Sequence, residues 1–191
     1  MLKYLLLSLL TCLLLACGGK SEPVPRPMAY HRIDFPTTTS YTHFDNETCP
    51  FSFEYPAYGE ISRDLEDSCW VDIYFPPYDC KWHLTYRNVN STGKSRSVHF
   101  EEHRKLVYKH VQKARQIKDG PFQVRAGYGT VYEVYGNVGA PTYIFMSDST
   151  DSDILMATFY FQTALKNDSL APVIEYMKGQ LNQMLQTFEW E

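Results

Sequence analysis

The sequence predicts an α+β domain, a mainly antiparallel β-sheet covered by two main helices. Three observations carry that expectation. Short runs alternate apolar with polar residues, the period of a half-buried strand. Two longer segments repeat apolar residues at helical spacing, and the links between strands are hairpin-like in place of repeated βαβ crossovers. Aromatic residues make up 15% of the 191-residue chain, with 15 tyrosines, a composition that suits half-buried sheet faces.

Taken in order, the chain opens with one positive charge at Lys3 and an almost wholly apolar run from Leu5 to Leu15. Leu5 to Ala16 is 12 residues, short of the roughly 20 that span a bilayer. It closes on Leu14-Leu15-Ala16-Cys17, the pattern of a bacterial lipobox. Residues 1–16 therefore read as a cleaved lipoprotein signal peptide and Cys17 as the lipid attachment site, so that the protein sits on a membrane without crossing it. Residues 17–48 read as the lipidated N-terminus and a proline-rich tether, with Pro23, Pro25, Pro27 and Pro36 favouring extended chain. In its polar, turn-prone end only Tyr41 and Phe44 are suited to dock onto a domain. Residues 49–191 read as a single globular α+β domain.

Phe51, Phe53 and Tyr55 alternate with Ser52 and Glu54, which predicts a strand bounded by Pro50 and Pro56. The segment 57–68 reads as a loop. Cys69 to Phe75 and Cys80 to Tyr86 follow as strands joined closely enough to pair antiparallel. Asn88 to Arg96 reads as a polar loop and Ser97 as an N-cap. From Val98 to Lys118 the set Phe100, Val107, Val111, Ala114 and Ile117 predicts a helix ended by Asp119-Gly120-Pro121. Strands are then expected at Phe122 to Arg125, Gly129 to Tyr135, Thr142 to Met146 and Ile154 to Phe161, the last three as a meander. Asp168 or Ser169 caps a last helix whose stripe of Val173, Ile174, Met177, Leu181, Met184, Leu185 and Phe188 must lie on the sheet.

The formal charge of −4 is spread over interspersed acids and bases, with no basic face for nucleic acid. Export makes Cys49, Cys69 and Cys80 candidates for one disulfide with one thiol left over. Cys49–Cys69 is the preferred pair and Cys69–Cys80 the rival, with three buried thiols as the other outcome. His99-Phe100-Glu101-Glu102-His103 matches the inverted zinc-peptidase pattern, with Glu133 and Glu175 as candidate third ligands that carry no motif of their own. Asp148 to Asp153 looks like a calcium loop but lacks its glycine and closing glutamate, so a charged hairpin turn is expected. No serine lies in a G-x-S-x-G sequence. Tyr128, Tyr132, Tyr135 and Tyr143 suit either sheet packing or an interface. Three classes of function follow: a tethered docking protein, a periplasmic zinc-dependent hydrolase using His99, Glu102 and His103, and a ligand-binding lipoprotein. The docking protein is the leading reading, since no coherent catalytic set is present.

An ordered series of segments also resembles the gliding motility lipoprotein GldD family of Bacteroidetes. It includes the lipobox at Cys17, Tyr30 to Pro36, Cys49 to Pro56, Cys69-Trp70, Lys81 to Tyr86, Tyr108-Lys109-His110, Val134 to Ala140, Asn167 to Pro172 and Phe188-Glu189-Trp190. The resemblance implies an envelope lipoprotein required for gliding motility and associated with type IX secretion machinery. Its implied partners are the membrane, through the lipid anchor, and other envelope proteins of that machinery. It implies no enzymatic activity, and no cofactor or small-molecule substrate is expected. Gly18 supplies no inner-membrane retention acid and Gly18-Gly19-Lys20-Ser21-Glu22 is a poor acidic surface-export signal, so a periplasm-facing location is expected, with inner or outer membrane left open. The strand–helix–strand–helix order further looks like the PsbP/Mog1-type sandwich, a fold that commonly serves as a binding or accessory module.

Overall fold

Alternation along the first half of Cys80–Asn88 organises the fold, because it turns Cys80, Trp82 and Leu84 into an apolar core and Lys81 and His83 the other way. The computed structural model describes Lys3 and residues 32–63, 69–162 and 167–191. Apart from Lys3, the expected signal peptide, Cys17 and the tether up to His31 lie outside the described residues.

The strands are β1 (Tyr41–Phe44), β2 (Phe51–Pro56), β3 (Glu60–Arg63), β4 (Trp70–Phe75), β5 (Cys80–Asn88), β6 (Ala114–Val124), β7 (Gly127–Gly136), β8 (Thr142–Ser147), β9 (Asp153–Phe161) and β10 (Glu189–Trp190). The helices are α1 (Val89–Thr92), α2 (Arg96–Tyr108) and α3 (Asn167–Thr187). A seven-stranded antiparallel sheet has the order β3-β4-β5-β9-β8-β7-β6, and β1-β2-β10 form a separate three-stranded sheet. The α+β expectation holds, as do the β4–β5 pair and the β7–β8–β9 meander.

One face of the large sheet packs against α3 and the small sheet. There Val71, Ile73, Phe75, Trp82, Leu84, Leu155, Ala157 and Phe159 meet Phe51, Phe53, Met177, Leu181, Met184 and Phe188. Each such side chain contributes about 1.5–3 kcal/mol by leaving water. On the opposite face α2 lays Phe100, His103 and Val107 over Tyr132, Tyr143 and Phe145. The two main helices thus cover opposite faces, and α2 covers only the β7–β8 side.

Four segments depart from the sequence reading, the first being the loop expected at Asn88 to Arg96, where Val89–Thr92 form α1 capped by Asn88. Helix α2 stops at Tyr108, a 3₁₀ turn spans Lys109–Gln112, and Ala114, Ile117 and Lys118 belong to β6. β6 pairs with ten-residue β7 from Ala114 to Val124, which gives the backbone groups on that side of β7 strand partners in place of water. Pro121 and Gly120 are tolerated because β6 is the edge strand. The N-cap is Ser95, two residues before the one expected, and the expected loop at 57–68 contains β3, which pairs with β4 over Glu60–Arg63.

The domain also starts earlier than residue 49. Arg32–Glu191 forms one compact unit. Phe35 stacks on Tyr176 with ring centroids 4.6 Å apart and meets Tyr78 at 5.7 Å, while the Thr39 and Tyr176 hydroxyls are hydrogen-bonded at 2.9 Å. Tyr41 donates to Gln180 Oε1 at 2.8 Å, and β1 pairs with β2 from Tyr41↔Pro56 to Phe44↔Phe53. Aromatic anchors in a polar stretch were thus enough to draw it into the fold.

Close approach of β7 to β8 requires glycine at position 129, where an added Cβ would stand 1.9 Å from the Phe145 carbonyl oxygen. Gly129→Ala is expected to cost about 1–3 kcal/mol by overpacking. Gly120→Ala, whose Cβ meets nothing within 4 Å, should change stability by less than about 0.5 kcal/mol. Denaturant unfolding of both variants checks the contrast.

Candidate functional site

The zinc-peptidase pattern does not assemble. His99 is buried, with Nε2 2.8 Å from the Thr92 hydroxyl, and Glu102 instead accepts from Lys94 Nζ at 2.6 Å. His103 turns into the aromatic layer against Tyr132, Tyr143 and Phe145, where burial drives its pKa down to about 4. Glu133 pairs with Lys178 of α3, so it and Glu175 stand on the other side of the sheet from the two histidines. Among the described residues, no three His, Cys, Asp or Glu side chains gather closely enough to hold a metal ion.

The acidic turn between β8 and β9 uses its carboxylates internally. Asp148 Oδ1 accepts the backbone N–H of Ser152 at 2.7 Å and of Asp153 at 2.9 Å. Asp151 accepts from Tyr128 at 2.5 Å and faces Arg96 at 3.2 Å, and Asp153 accepts from Tyr86 at 2.6 Å and Asn88 at 2.9 Å. The charged-hairpin reading fits this geometry. Of the four tyrosines, Tyr132 and Tyr143 are core, while Tyr128 and Tyr135 are exposed at 38% and 39%.

Cys49 and Cys80 are buried and Cys69 is partly exposed. Cys69–Cys80 is excluded by register, since the Cys69 carbonyl accepts from Tyr86 N–H at 3.1 Å whereas Cys80 lies opposite Phe75 at the far end of the same ladder. Six residues of strand separate them by about 20 Å, against the roughly 7 Å limit for Cα atoms in a disulfide. Cys69 Sγ instead donates to the carbonyl of Thr48 at 3.2 Å, beside Cys49. Cys80 is buried, and burial pushes its thiol up to about 12.

The constellation that sequence reasoning missed lies on the side of β4, β5 and β9 turned away from α3 and the small sheet. His83 Nδ1 donates to Asp72 Oδ1 at 2.5 Å, Lys81 Nζ donates to Asp72 Oδ2 at 2.9 Å, and the Thr85 hydroxyl lies 3.3 Å from His83 Nε2. Burial alone would raise the Asp72 pKa, but the bonds from His83 and Lys81 hold it below its ordinary value. Lys81 also lies over the Tyr160 ring and Arg87 over Trp70. Register makes these residues neighbours, with Asp72↔His83, Tyr74↔Lys81 and Lys81↔Tyr160. The only signal in the chain was the period-two alternation of β4 and β5 once their pairing is known.

A carboxylate–imidazole–hydroxyl order has the outline of an acyl-transfer triad, which further needs an accessible nucleophile and oxyanion donors. Thr85 is 9% exposed and lies in a strand with ladders on both sides, through Trp70↔Thr85 and Thr85↔Met156. Its backbone is committed to the sheet. What the arrangement does is hold charged and aromatic groups rigidly on an open sheet face, with Trp70 38% exposed and the His83 side chain 37%. Pre-ordered aromatic and cationic side chains are interface chemistry.

The family model described as gliding motility lipoprotein GldD matches residues 20–190, and the chain belongs to this family. No curated protein matches. Among solved structures, cyanobacterial PsbP (CyanoP) from Synechocystis sp. PCC 6803 is similar at 13% sequence identity and a TM-score of 0.45, over 81% of this chain and 94% of that one. No helix among the described residues is long and apolar enough to cross a membrane.

A depressed histidine pKa makes stability depend on pH. Between the ordinary value of 6.5 and about 4, the unfolded chain binds a proton at His103 that the folded chain does not. The neutral-His contribution is therefore complete above 6.5 and is lost as pH falls towards 4, about 3 kcal/mol in all. His103→Phe should flatten that slope in urea melts run across the window.

Proposed function

We propose that this protein is a non-enzymatic, lipid-tethered accessory of the Bacteroidetes gliding and type IX secretion apparatus, docking onto envelope partners through the open face of β4, β5 and β9. The observation that carries the reading is the family match over residues 20–190. The face itself supplies the chemistry, since Asp72 holds Lys81 and His83 in place beside Trp70 and Tyr160, so little side-chain entropy is lost on contact. In this reading residues 1–16 are removed, Cys17 carries the acyl chains, and the tether leads to a domain facing the periplasm. Replacing the gene by Cys17→Ala or Lys81→Glu alleles is expected to abolish gliding and type IX cargo export, with the Lys81→Glu protein still folded and membrane-bound. Intact gliding and export in the deletion strain would falsify the reading.

The export route also bears on the thiols. Cys69 sits against Thr48, and its oxidation with Cys49 would release two protons and pass two electrons to a disulfide of the envelope's thiol-oxidising system. Cys80, buried and held protonated, is left out. Peptide mapping of the envelope protein without reductant is expected to recover Cys49 linked to Cys69 and Cys80 as a thiol. Closing that loop should add about 3 kcal/mol to stability, read as a lower midpoint after reduction.

A further inference from the structure

Period-two alternation carries the open face of β5 past Lys81 and His83 to Thr85 and Arg87, and at that end the sheet meets the corner between α1 and α2. A hollow of about 260 Å³ lies there. It is lined by Arg87 of β5, Met156 of β9, Thr92 at the end of α1, Lys94 in the link, and His99 and Glu102 on α2. Met156 stands opposite Thr85 across the β5–β9 ladder, so the hollow is on the same side of the sheet as Asp72 and His83.

Arg87 is the informative residue. It is half-buried, and its guanidinium lies 5.7 Å from the centre of the Trp70 ring, yet among the described residues it has neither a carboxylate nor a hydrogen-bond partner. A cation drawn partly out of water loses hydration that a counter-charge has to replace. The neighbouring groups do not supply one. Glu102 is engaged by Lys94 Nζ at 2.6 Å, and its other oxygen stands 3.9 Å from His99 Nδ1. His99 adds no charge near pH 7, because burial lowers its pKa below the ordinary 6.5; Glu102 opposes that fall, and Lys94 and Arg87 add to it. Helix α2 strengthens the positive field, since Ser95 makes no side-chain cap and no acidic residue stands in the first turn.

We infer that this hollow receives one Asp or Glu side chain from an acidic segment of a partner protein, its carboxylate bonded by the Arg87 guanidinium and shared with the Lys94 ammonium, while flanking residues of the segment lie across Trp70. The assignment rests on the docking reading of the open face and names the chemistry of the partner. Charge favours that occupant. Arg87 and Lys94 against Glu102 leave one positive charge, the complement of a carboxylate, whereas a phosphate monoester brings about −1.5 to −2 and would be set against Glu102. Geometry favours it too. A guanidinium presents paired N–H groups that meet both oxygens of a carboxylate, and contact with Trp70 restrains Arg87 before binding. The hollow is smaller than the roughly 300–1,000 Å³ of sites for cofactors or drug-sized ligands, and suits a single side chain. Trp70, exposed beside it, is the residue type that anchors interfaces.

Selection of a displayed library of random linear peptides on the full chain, held in neutral detergent, tests the assignment. Enriched peptides are expected to share an Asp or Glu, and its replacement by Asn or Gln should weaken binding by about tenfold or more. Arg87→Gln should cost a similar factor at an unchanged thermal midpoint, with Arg87→Lys, which keeps the charge and loses the fork, falling between them. A bound carboxylate should also raise the His99 pKa, read from its ring-proton shifts, which binding elsewhere on the domain would not do. No enrichment, an amide peptide that binds as well as the acid, undiminished affinity in Arg87→Gln or an unmoved His99 overturns the proposal. So does a hollow that takes inorganic phosphate or phosphatidylglycerol vesicles through Arg87 and no acidic peptide. Failure of acidic-peptide binding while Lys81→Glu still abolishes gliding ends this assignment alone; normal gliding and export with Lys81→Glu ends docking through the open face.

Discussion

The nine-residue ladder between β5 and β9, from Cys80↔Phe161 to Asn88↔Asp153, is the interaction on which the rest of the structure depends. It joins the first half of the sheet, β3-β4-β5, to the meander β9-β8-β7 and so closes one sheet from segments far apart in sequence. A slip of one residue would exchange the two faces. Trp82 and Leu84 would leave the core under α3, and Lys81 and His83 would be buried in their place. Fold and surface chemistry are consequences of the same register.

Much of the architecture was legible because local pattern and final burial agreed. Alternation or a short apolar run bounded by turn residues placed β2, β4, β5, β7, β8 and β9, and the stripe from Val173 to Phe188 placed α3 on the sheet, where Val173, Met177, Leu181, Met184 and Phe188 are all buried. Disagreement arose where tertiary pairing decided the outcome. Ala114 and Ile117 suited a continued helix, but pairing along β7 placed them in β6, which replaced the last helical turns. Short β1 and β3 carried too few apolar residues to be visible alone, and each exists as a partner to a neighbour.

The functional surface was less legible for a related reason. Asp72 and His83 are neighbours only across the β4–β5 ladder, and no linear motif announces them. His99 and His103 did form a motif, yet the fold spends both rings on packing and helix contacts. The family resemblance depended on an ordered series of segments spread along the chain, which is why it survived where single motifs did not.

The aromatic clasp of Phe35 on Tyr78 and Tyr176 has a mechanical meaning if the chain is held at Cys17. Tension along the tether enters the domain ahead of β1, so it meets the Phe35 stack and the Thr39–Tyr176 bond before the Tyr41↔Pro56 pair carries any force. Those contacts join the entering strand to α3, the helix that closes the core. The segment that leads into β1 is thus fastened to the helix that closes the core before it joins the sheet, so the point of entry and the core share one support.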